Sequence, residues 1–118
     1  MQRDLLLVAE MIDAAEQAMS LVAGTTLVEL ERERQRRDAL LWNFTVPGEA
    51  ANLVSDATKA RFPAITWRIP TRLRNRIVHA YWSIDVGILH ATATQQLPGF
   101  VYELRSALTA LRSDESAT

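Results

Sequence analysis

Most of the side chains that could do chemistry lie in one ten-residue segment, residues 72–81. It carries three arginines, an asparagine, a histidine and a tyrosine, namely Arg72, Arg74, Arg76, Asn75, His79 and Tyr81. Arginine binds two phosphate oxygens at once, and histidine exchanges a proton near neutral pH. RNA carries its own nucleophile, the 2′-hydroxyl, so its cleavage does not strictly need a metal. These residue types therefore predict either an anion-binding strip or a site for metal-independent phosphodiester cleavage.

The positive charge of this region is not balanced nearby. No acidic residue occurs between Asp56 and Asp85, although the whole chain has a formal net charge of −1. The basic residues of this interval are Lys59, Arg61, Arg68, Arg72, Arg74 and Arg76. A basic strip on a nearly neutral chain favours a local anionic partner such as RNA.

Helical winding divides the segment into two faces. The polar face follows the i, i+3, i+4, i+7 spacing and consists of Arg72, Asn75, Arg76 and His79. Leu73, Ile77 and Ala80 lie on another face and are predicted to enter the core. In a cleavage site, Arg72 and Arg76 would bind substrate phosphates and His79 would move a proton. Asn75 would orient His79 or bind a phosphate.

Arg74 does not fit this division. It shares a stripe with the mostly apolar residues Ile77, Val78 and Tyr81. A guanidinium there needs a carboxylate, a phosphate or a subunit boundary to offset its desolvation. Asp38 and Glu49 are the candidate carboxylate partners, because they fall on one stripe of the preceding helix.

Arg74 and His79 are also separated from each other. They are five residues apart, which places them about 140° apart around an ideal helix. They cannot converge on one phosphate from a single straight helix. A two-fold dimer that sets two such helices side by side removes this difficulty, so a homodimer with a shared cleft is predicted.

Length and composition predict a single domain. Residues 1–112 are assigned to this domain and residues 113–118 to a short polar tail. The 118-residue chain has no cysteine and two histidines, so we predict no disulfide, no metal site and no cofactor. The apolar run at residues 5–9 is too short for a signal peptide or a membrane helix, and a cytoplasmic location is expected.

Apolar periodicity predicts an all-α fold, an up-and-down bundle of four or five helices. The first helix begins near Asp4 and ends before Gly24. Thr26 and Glu29 form a capping box for a long second helix at residues 27–60, which Pro47 should kink rather than stop.

The later helices are shorter. The third begins at Pro70 or Thr71 and carries residues 72–81. The fourth begins near Ser83 and Asp85, runs to about residue 96, and stops at residues 97–99 before a last helix.

Two groups of residues have more than one interpretation. Four acidic and four arginine residues at positions 29–38 cancel, which favours a solvated helix face with ion pairs; the alternative is a face turned to a partner subunit or RNA. Trp42, Trp67 and Trp82 are expected to anchor packing, although Trp82 beside Tyr81 could line a dimer cleft.

The ordered motifs resemble a known family. Arg74-Asn75-x-x-x-His79-x-Tyr81 is similar to the Arg-polar-x-x-x-His-x-Tyr signature of HEPN domains, in particular of HepT-like toxins. Further similar motifs follow the family's order: Asp38-Ala39, Pro47-Gly48-Glu49-Ala50, the turn at 62–67, Ser83-Ile84-Asp85 and Leu97-Pro98. The resemblance covers the chain from about Asp4 to Leu111.

This resemblance implies a homodimeric HEPN-type bundle. It implies a metal-independent ribonuclease toxin whose composite site uses Arg74, Asn75 and His79 from both protomers. It also implies a small nucleotidyltransferase antitoxin as partner, which would transfer AMP from ATP to Tyr81. The AMP group would add bulk and negative charge where substrate phosphate binds.

The sequence departs from the family pattern in three places: at Pro47, at His90 and at the pair Arg72-Leu73. None of them removes a proposed catalytic residue, and His90 is interpreted first as a packing or surface substitution. The rival interpretation is a non-catalytic module that binds a nucleotidyltransferase or a nucleotide, with Arg74 in a structural role. A third is a simple nucleic-acid binder.

Overall fold

The computed structural model describes residues 2–117, which fold into a bundle of helices. The helices are α1 (Gln2–Val22), α2 (Leu27–Arg32), α3 (Arg34–Leu53), α4 (Asp56–Arg61), α5 (Arg68–Ala80), α6 (Val86–Ala91) and α7 (Leu97–Ala117). A 3₁₀ turn at Tyr81–Ser83 follows α5, and a π-helical turn at Thr92–Gln96 joins α6 to α7. No strand occurs within residues 2–117, and the predicted all-α bundle is confirmed.

Helices α1 and α3 form the centre of the bundle. Helix α1 packs against α3 and α7, and α3 packs in turn against α5. The largest fully buried apolar side chains are Val8, Met11, Leu30, Leu40, Leu89, Leu104 and Leu111. Full burial of a side chain of this size contributes about 1.5–3 kcal/mol. Ile77 is the one buried residue of helix α5, so this helix contributes little to the core and most of its surface is not buried.

The start of the chain follows the sequence predictions. Gly24 has φ of 68° and ends α1 in the left-handed conformation that favours glycine. The Thr26 side chain accepts a hydrogen bond from the Glu29 backbone, and the Glu29 side chain accepts one from the Thr26 backbone. The predicted capping box is therefore confirmed.

The prediction of one long helix at residues 27–60 is wrong, because the structure divides it into three. Glu33, with φ −92° and ψ 88°, separates α2 from α3, and Val54, with ψ 138°, ends α3. Pro47 lies inside α3, which stays helical to Leu53, so the proline does not stop the helix. The kink expected at Pro47 remains a prediction.

Two arginines complete the helix ends around the first break. Arg36 Nη1 donates a hydrogen bond to the Leu21 carbonyl at 2.8 Å, and Arg37 Nη1 donates to the Glu31 carbonyl at 2.6 Å. They satisfy carbonyl groups near the C-terminal ends of α1 and α2. These side-chain contacts favour the break, and the apolar periodicity carries no signal for them.

Asp4 fixes the second break by joining the start of α1 to the start of α4. It is 1% exposed. Its carboxylate accepts hydrogen bonds from Ser55 N at 3.0 Å, Ser55 Oγ at 2.6 Å and Thr58 Oγ1 at 2.6 Å. Burial raises the pKa of Asp4, but the hydrogen bonds from Ser55 and Thr58 outweigh it, so the pKa lies below its ordinary value. This role of Asp4 is not visible in the local sequence pattern, because Ser55 is 51 residues away in the chain.

The predicted helix stop at residues 97–99 is also wrong. The chain stays helical from Val86 to Ala117, and Leu97 N donates to the Thr92 carbonyl across the π-helical turn. Four core residues are spaced four apart: Leu89, Ala93, Leu97 and Val101. In an ideal α-helix each such step rotates about 40° away from the core. The wider turn takes up part of this rotation and keeps all four on the buried side.

The three tryptophans differ in environment. Trp67 is 7% exposed and its Nε1 donates to the Phe62 carbonyl at 3.1 Å, so its predicted packing role is confirmed. Trp42 is 65% exposed and Trp82 is 75% exposed, so the packing prediction is wrong for both within this single chain.

The C-terminal segment is helical as far as the structure describes it. Helix α7 continues to Ala117, and Asp114 forms an ion pair with Arg61 of α4. Thr118 lies outside the described residues, and the division into a domain and a tail remains a prediction. Within residues 2–117, no helix combines the length and the apolar character needed to cross a bilayer.

Candidate active site

Helix α5 carries residues 72–80, and its contact with α3 decides which side of it meets solvent. A Cβ atom added at Gly48 would overlap with Cβ of Arg74 and with the carbonyl oxygen of Pro70. Thr71 Oγ1 donates a hydrogen bond to the Gly48 carbonyl at 3.3 Å. The two helices therefore touch at a position where only glycine fits. The opposite side of α5 faces outward.

The outward side is the predicted polar face. Its four residues are all exposed: Arg72, Asn75, Arg76 and His79. Ile77 is 7% exposed, and Leu73 and Ala80 are half-buried, so the division of the helix into a polar and a core face is confirmed. Among residues 2–117, no carboxylate forms an ion pair with Arg72 or Arg76, and His79 has no hydrogen-bond partner. The polar groups of this face are available to a ligand.

Arg74 points toward α3 and is partly paired. Its Nη2 lies 3.1 Å from Glu49 Oε2, and its Nη1 donates to Asn75 Oδ1 at 2.9 Å. Its Nε is buried and has no hydrogen-bond partner within residues 2–117. The predicted partner Glu49 is confirmed, whereas Asp38 is not a partner, because it pairs with Arg34 at 3.4 Å.

The charge of the region is partly compensated by residues far away in the sequence. Besides Arg74 with Glu49, Arg61 pairs with Asp114. The hydrogen bond between them lowers the pKa of Asp114 and raises that of Arg61. The basic residues of the interval without a carboxylate partner among residues 2–117 are Lys59, Arg68, Arg72 and Arg76. The positive strip is therefore smaller than the sequence alone indicates, but it includes both arginines of the polar face.

A basic groove extends this strip. It has a volume of about 810 Å³ and lies between α4 and the start of α5. Lys59, Arg68 and Arg72 contribute its positive side chains, and Asp56 is its one acidic side chain. Arg72 belongs to both the groove and the polar face, so the two basic regions adjoin each other.

The single chain does not bring the candidate residues together at one point. Arg74 and its chain neighbour Asn75 are joined by an exposed side-chain hydrogen bond. His79 contacts neither of them through a hydrogen bond. Helix α5 is unbroken between them, so Arg74 and His79 remain about 140° apart.

Tyr81 lies off the helix that precedes it. Ala80 has φ −153° and ψ 47°, outside the helical region, and Tyr81 begins the 3₁₀ turn. Its placement on the apolar stripe of Arg74 and Val78 was therefore wrong, because an ideal helix does not continue that far. Tyr81 is 63% exposed, and its ring meets that of Trp82 edge to face with centroids 5.4 Å apart.

The turn after Tyr81 is closed by two short polar contacts. Ser83 Oγ donates to the Ala80 carbonyl at 2.8 Å, so Ser83 closes the end of α5. Asp85 is the cap of α6, because its Oδ1 accepts a hydrogen bond from Gly87 N at 2.8 Å. The fourth helix accordingly begins at Val86, three residues after the predicted start.

His90 has a structural contact. Its Nε2 donates a hydrogen bond to the Thr25 carbonyl at 2.9 Å, which ties α6 to the loop between α1 and α2. This half-buried position agrees with its interpretation as a packing residue. In the described part of the chain, no three His, Asp or Glu side chains are grouped in a way that could hold a metal ion.

Comparison with known proteins assigns these features to a family. The family model described as Ribonuclease HepT-like matches residues 11–107, which include the whole segment 72–81. The chain belongs to the ribonuclease HepT-like family. The predicted HepT-like resemblance and the predicted enzyme class, a ribonuclease, are thereby confirmed at the level of the family.

Individual HepT-like relatives are distant. A protein of Thermococcus cleftensis, provisionally named a ribonuclease HepT, is 29% identical over 66 residues. These residues cover 56% of this chain and 60% of that protein. A protein of Methanocaldococcus jannaschii, provisionally named an RNase, is 20% identical over 90 residues. These residues cover 76% of this chain and 74% of that protein. A second such protein from the same organism is 21% identical over 89 residues, which cover 75% and 82%. No solved structure gives a significant match.

Proposed function

We propose that this HepT-like chain is a metal-independent endoribonuclease whose active site is shared between two subunits of a homodimer. The observation that carries the proposal is the polar face of α5. Arg72, Arg76 and His79 are exposed there, and their side chains have no hydrogen-bond or ion-pair partner among residues 2–117, in a chain of a ribonuclease family. A protein that leaves such groups unpaired on one face is suited to bind a phosphodiester there.

The chemistry follows from the substrate. A histidine takes the proton of the RNA 2′-hydroxyl, and O2′ attacks the adjacent phosphorus while the bond from phosphorus to O5′ breaks. A proton delivered to O5′ completes the reaction, which leaves a 2′,3′-cyclic phosphate and a 5′-hydroxyl end. Arg72 and Arg76 hold the phosphate oxygens, and a guanidinium stabilises the charge that develops as phosphorus gains its fifth ligand.

The dimer supplies the convergence that one chain lacks. Two copies of α5 set side by side bring Arg74 and Asn75 of one protomer near His79 of the other. Two histidines are then available, one as base and one as acid. Two exposed apolar side chains, Val78 of α5 at 48% and Trp42 of α3 at 65%, are suited to burial in such an interface.

Regulation is proposed at Tyr81. Its ring is 63% exposed on the turn that follows His79, so it is accessible to a nucleotidyltransferase antitoxin that transfers AMP from ATP. The added phosphate would repel the substrate phosphate from the neighbouring arginine strip. The chain would then be the toxin of a toxin–antitoxin pair. Intact-mass spectrometry after co-expression with the nucleotidyltransferase should show one added AMP, absent from Tyr81→Phe.

RNA cleavage in EDTA tests the catalytic proposal. Purified wild-type protein should cleave single-stranded RNA under these conditions, and His79→Ala should slow the cleavage by about 10²–10⁴-fold because the proton carrier is lost. His79 is exposed, so the unfolding midpoint should not change. His90→Ala is the matched control, since that histidine has a structural contact. If wild type and His79→Ala both leave the RNA intact, the nuclease proposal is refuted.

A non-catalytic module is the second candidate, and the ion pair of Arg74 with Glu49 favours it. In that case Arg74 is structural, and the polar face binds a nucleotidyltransferase or a nucleotide. Association with a nucleotidyltransferase in the absence of any RNA cleavage would support this candidate over the first.

A further inference from the structure

A second groove lies at the end of α5, outside the polar face. It has a volume of about 320 Å³, which is in the range of small-molecule sites. It lies between the first turns of α3 and the segment that joins α5 to α6. The residues that line it are Arg34, Arg37, Asp38, Leu41, Tyr81, Trp82, Ile84 and Val86.

One wall of the groove is aromatic. Trp82 is 75% exposed and Tyr81 is 63% exposed, and their interplanar angle is 77°. An edge-to-face pair leaves ring faces uncovered. Exposed aromatic faces of this kind bind nucleic-acid bases by stacking, with little preference for sequence, because every base has a π-face.

The facing wall provides an unpaired cation. Arg37 is half-buried, and its Nη1 donates to the Glu31 carbonyl at 2.6 Å, which fixes the side chain in place. Among residues 2–117, no carboxylate forms an ion pair with Arg37, whereas Arg34 is paired with Asp38 at 3.4 Å. A positioned guanidinium without a carboxylate is suited to a phosphate.

The two walls together match one ligand class. A nucleotide offers a flat base to the aromatic wall and a phosphate to the guanidinium. An acidic peptide would meet the charge of Arg37 but offers no flat ring for Trp82. The groove is close to His79 along the chain, because Tyr81 lines the groove and follows His79 by two residues, which keeps their Cα atoms within about 8 Å.

We propose that this groove binds the nucleotide next to the scissile phosphate, with its base against Trp82 and its phosphate on Arg37. The inference rests on the proposed ribonuclease function and adds a subsite to it. It also gives part of the charged segment at residues 29–38 a role in binding RNA. Arg34 also lines the groove, but its charge is neutralised by Asp38.

Binding of an uncleavable RNA tests the subsite. The probe is a fluorescent oligoribonucleotide with 2′-O-methyl groups on every sugar, which removes the nucleophile, and the measurement is fluorescence anisotropy. Trp82→Ala should raise Kd about tenfold, and Trp82→Phe, which keeps a stacking face, should restore most of the affinity. Arg37→Gln should raise Kd about fivefold and reduce the slope of log Kd against log salt by about one.

Matched controls lie on α7, outside the groove. Tyr102→Ala removes an aromatic ring that is 70% exposed, and Arg112→Gln removes an exposed arginine. Both should keep Kd within about twofold of the wild-type value. An abasic probe should lose the sensitivity to Trp82→Ala when the missing base is the one that occupies the groove.

Three results would overturn the inference. Trp82→Ala and Arg37→Gln could both bind the probe as wild type does. Trp82→Ala could change the oligomeric state in sedimentation, which would make Trp82 a subunit contact. Free AMP could bind in a way that depends on Trp82 and Arg37 while the oligonucleotide does not, which would assign the groove to an adenylate on Tyr81.

The outcome is separable from that of the proposed function. RNA cleavage without groove-dependent binding would overturn the subsite alone. Groove-dependent binding without any RNA cleavage would overturn the nuclease proposal and leave a nucleotide-binding groove.

Discussion

Two polar clusters of this protein differ in how their hydrogen bonds are satisfied. In the Asp4 cluster, formed by Asp4, Ser55 and Thr58, Asp4 and Thr58 are buried, and the Asp4 carboxylate accepts three hydrogen bonds from within the chain. The polar face of α5, formed by Arg72, Asn75, Arg76 and His79, is exposed. Its charged side chains have no carboxylate partners within residues 2–117. Buried polar groups need internal partners, whereas exposed groups without partners are free for a ligand.

Arg74 stands between these two cases. It is 31% exposed and paired with Glu49 like a structural residue, yet its Nε is buried without a partner in the described part of the chain. An unsatisfied buried donor is unfavourable for stability. The clusters therefore predict separate effects. Changes in the Asp4 cluster should alter stability, and changes in the polar face should alter RNA cleavage. Changes at Arg74 and Glu49 should show which of these two roles Arg74 has.

Among changes in these two clusters and at Arg74, the largest effect on stability is expected for Asp4→Ala. It removes a buried carboxylate and leaves the Ser55 N–H and the Thr58 hydroxyl without their acceptor, so the free energy of unfolding should fall by about 3 kcal/mol. Urea denaturation measures this change. The cleavage rate per folded molecule should stay at the wild-type value at low temperature. Unchanged stability would mean that the Asp4 cluster does not hold α1 to α4.

A smaller effect is expected from pH. The pKa of Asp4 is lowered in the folded state, so its contribution to stability is fully present above its unfolded pKa of about 4. This contribution is lost as pH falls through the lower folded value. Asp4→Asn should therefore reduce the dependence of the unfolding free energy on pH below about pH 4. Glu29 and Asp114 also have lowered pKa values and should retain part of the slope in this variant.

A comparison with Asp114→Asn makes that measurement specific. Asp114 is exposed and titrates in the same acidic range, so this variant should remove only the share due to the ion pair with Arg61. A pH dependence that Asp4→Asn leaves entirely unchanged would contradict the lowered pKa of Asp4.

The smallest effect on stability is expected for Glu49→Gln. The Glu49 side chain is 52% exposed, and exposed ion pairs contribute less than about 1 kcal/mol. Arg74→Gln should also change stability little, but it should slow RNA cleavage much more than Glu49→Gln does if Arg74 acts on the substrate. Equal and small effects of both variants on cleavage would assign Arg74 to the frame.

The sequence predicted features that depend on local periodicity and missed those that depend on distant partners. The polar face of α5, the capping box at Thr26 and the burial of Ile77 follow from spacing along one helix. The role of Asp4 could not be predicted this way, because its partners lie on another helix. The choice of Glu49 over Asp38 as the partner of Arg74 likewise depends on where α5 crosses α3.

Two of the errors at the helix ends have physical causes that the structure identifies. Proline at position 98 predicted a helix stop. The helix instead continues through the π-helical turn at Thr92–Gln96 into α7. The signal that could have shown this is the four-residue spacing of Leu89, Ala93, Leu97 and Val101. The position of Tyr81 was missed because a helical wheel assumes that the helix continues, whereas the backbone leaves it at Ala80.

Gly48 has a consequence for how variation in this protein is interpreted. Every other residue type would place a Cβ atom where Arg74 and Pro70 already lie, so this position should reject all substitutions, including alanine. In a scan scored only by RNA cleavage, Gly48 would resemble His79, although it has no reactive group. Measuring the abundance of each variant beside its activity separates the two, because Gly48 variants should lose soluble protein and His79 variants should lose only turnover.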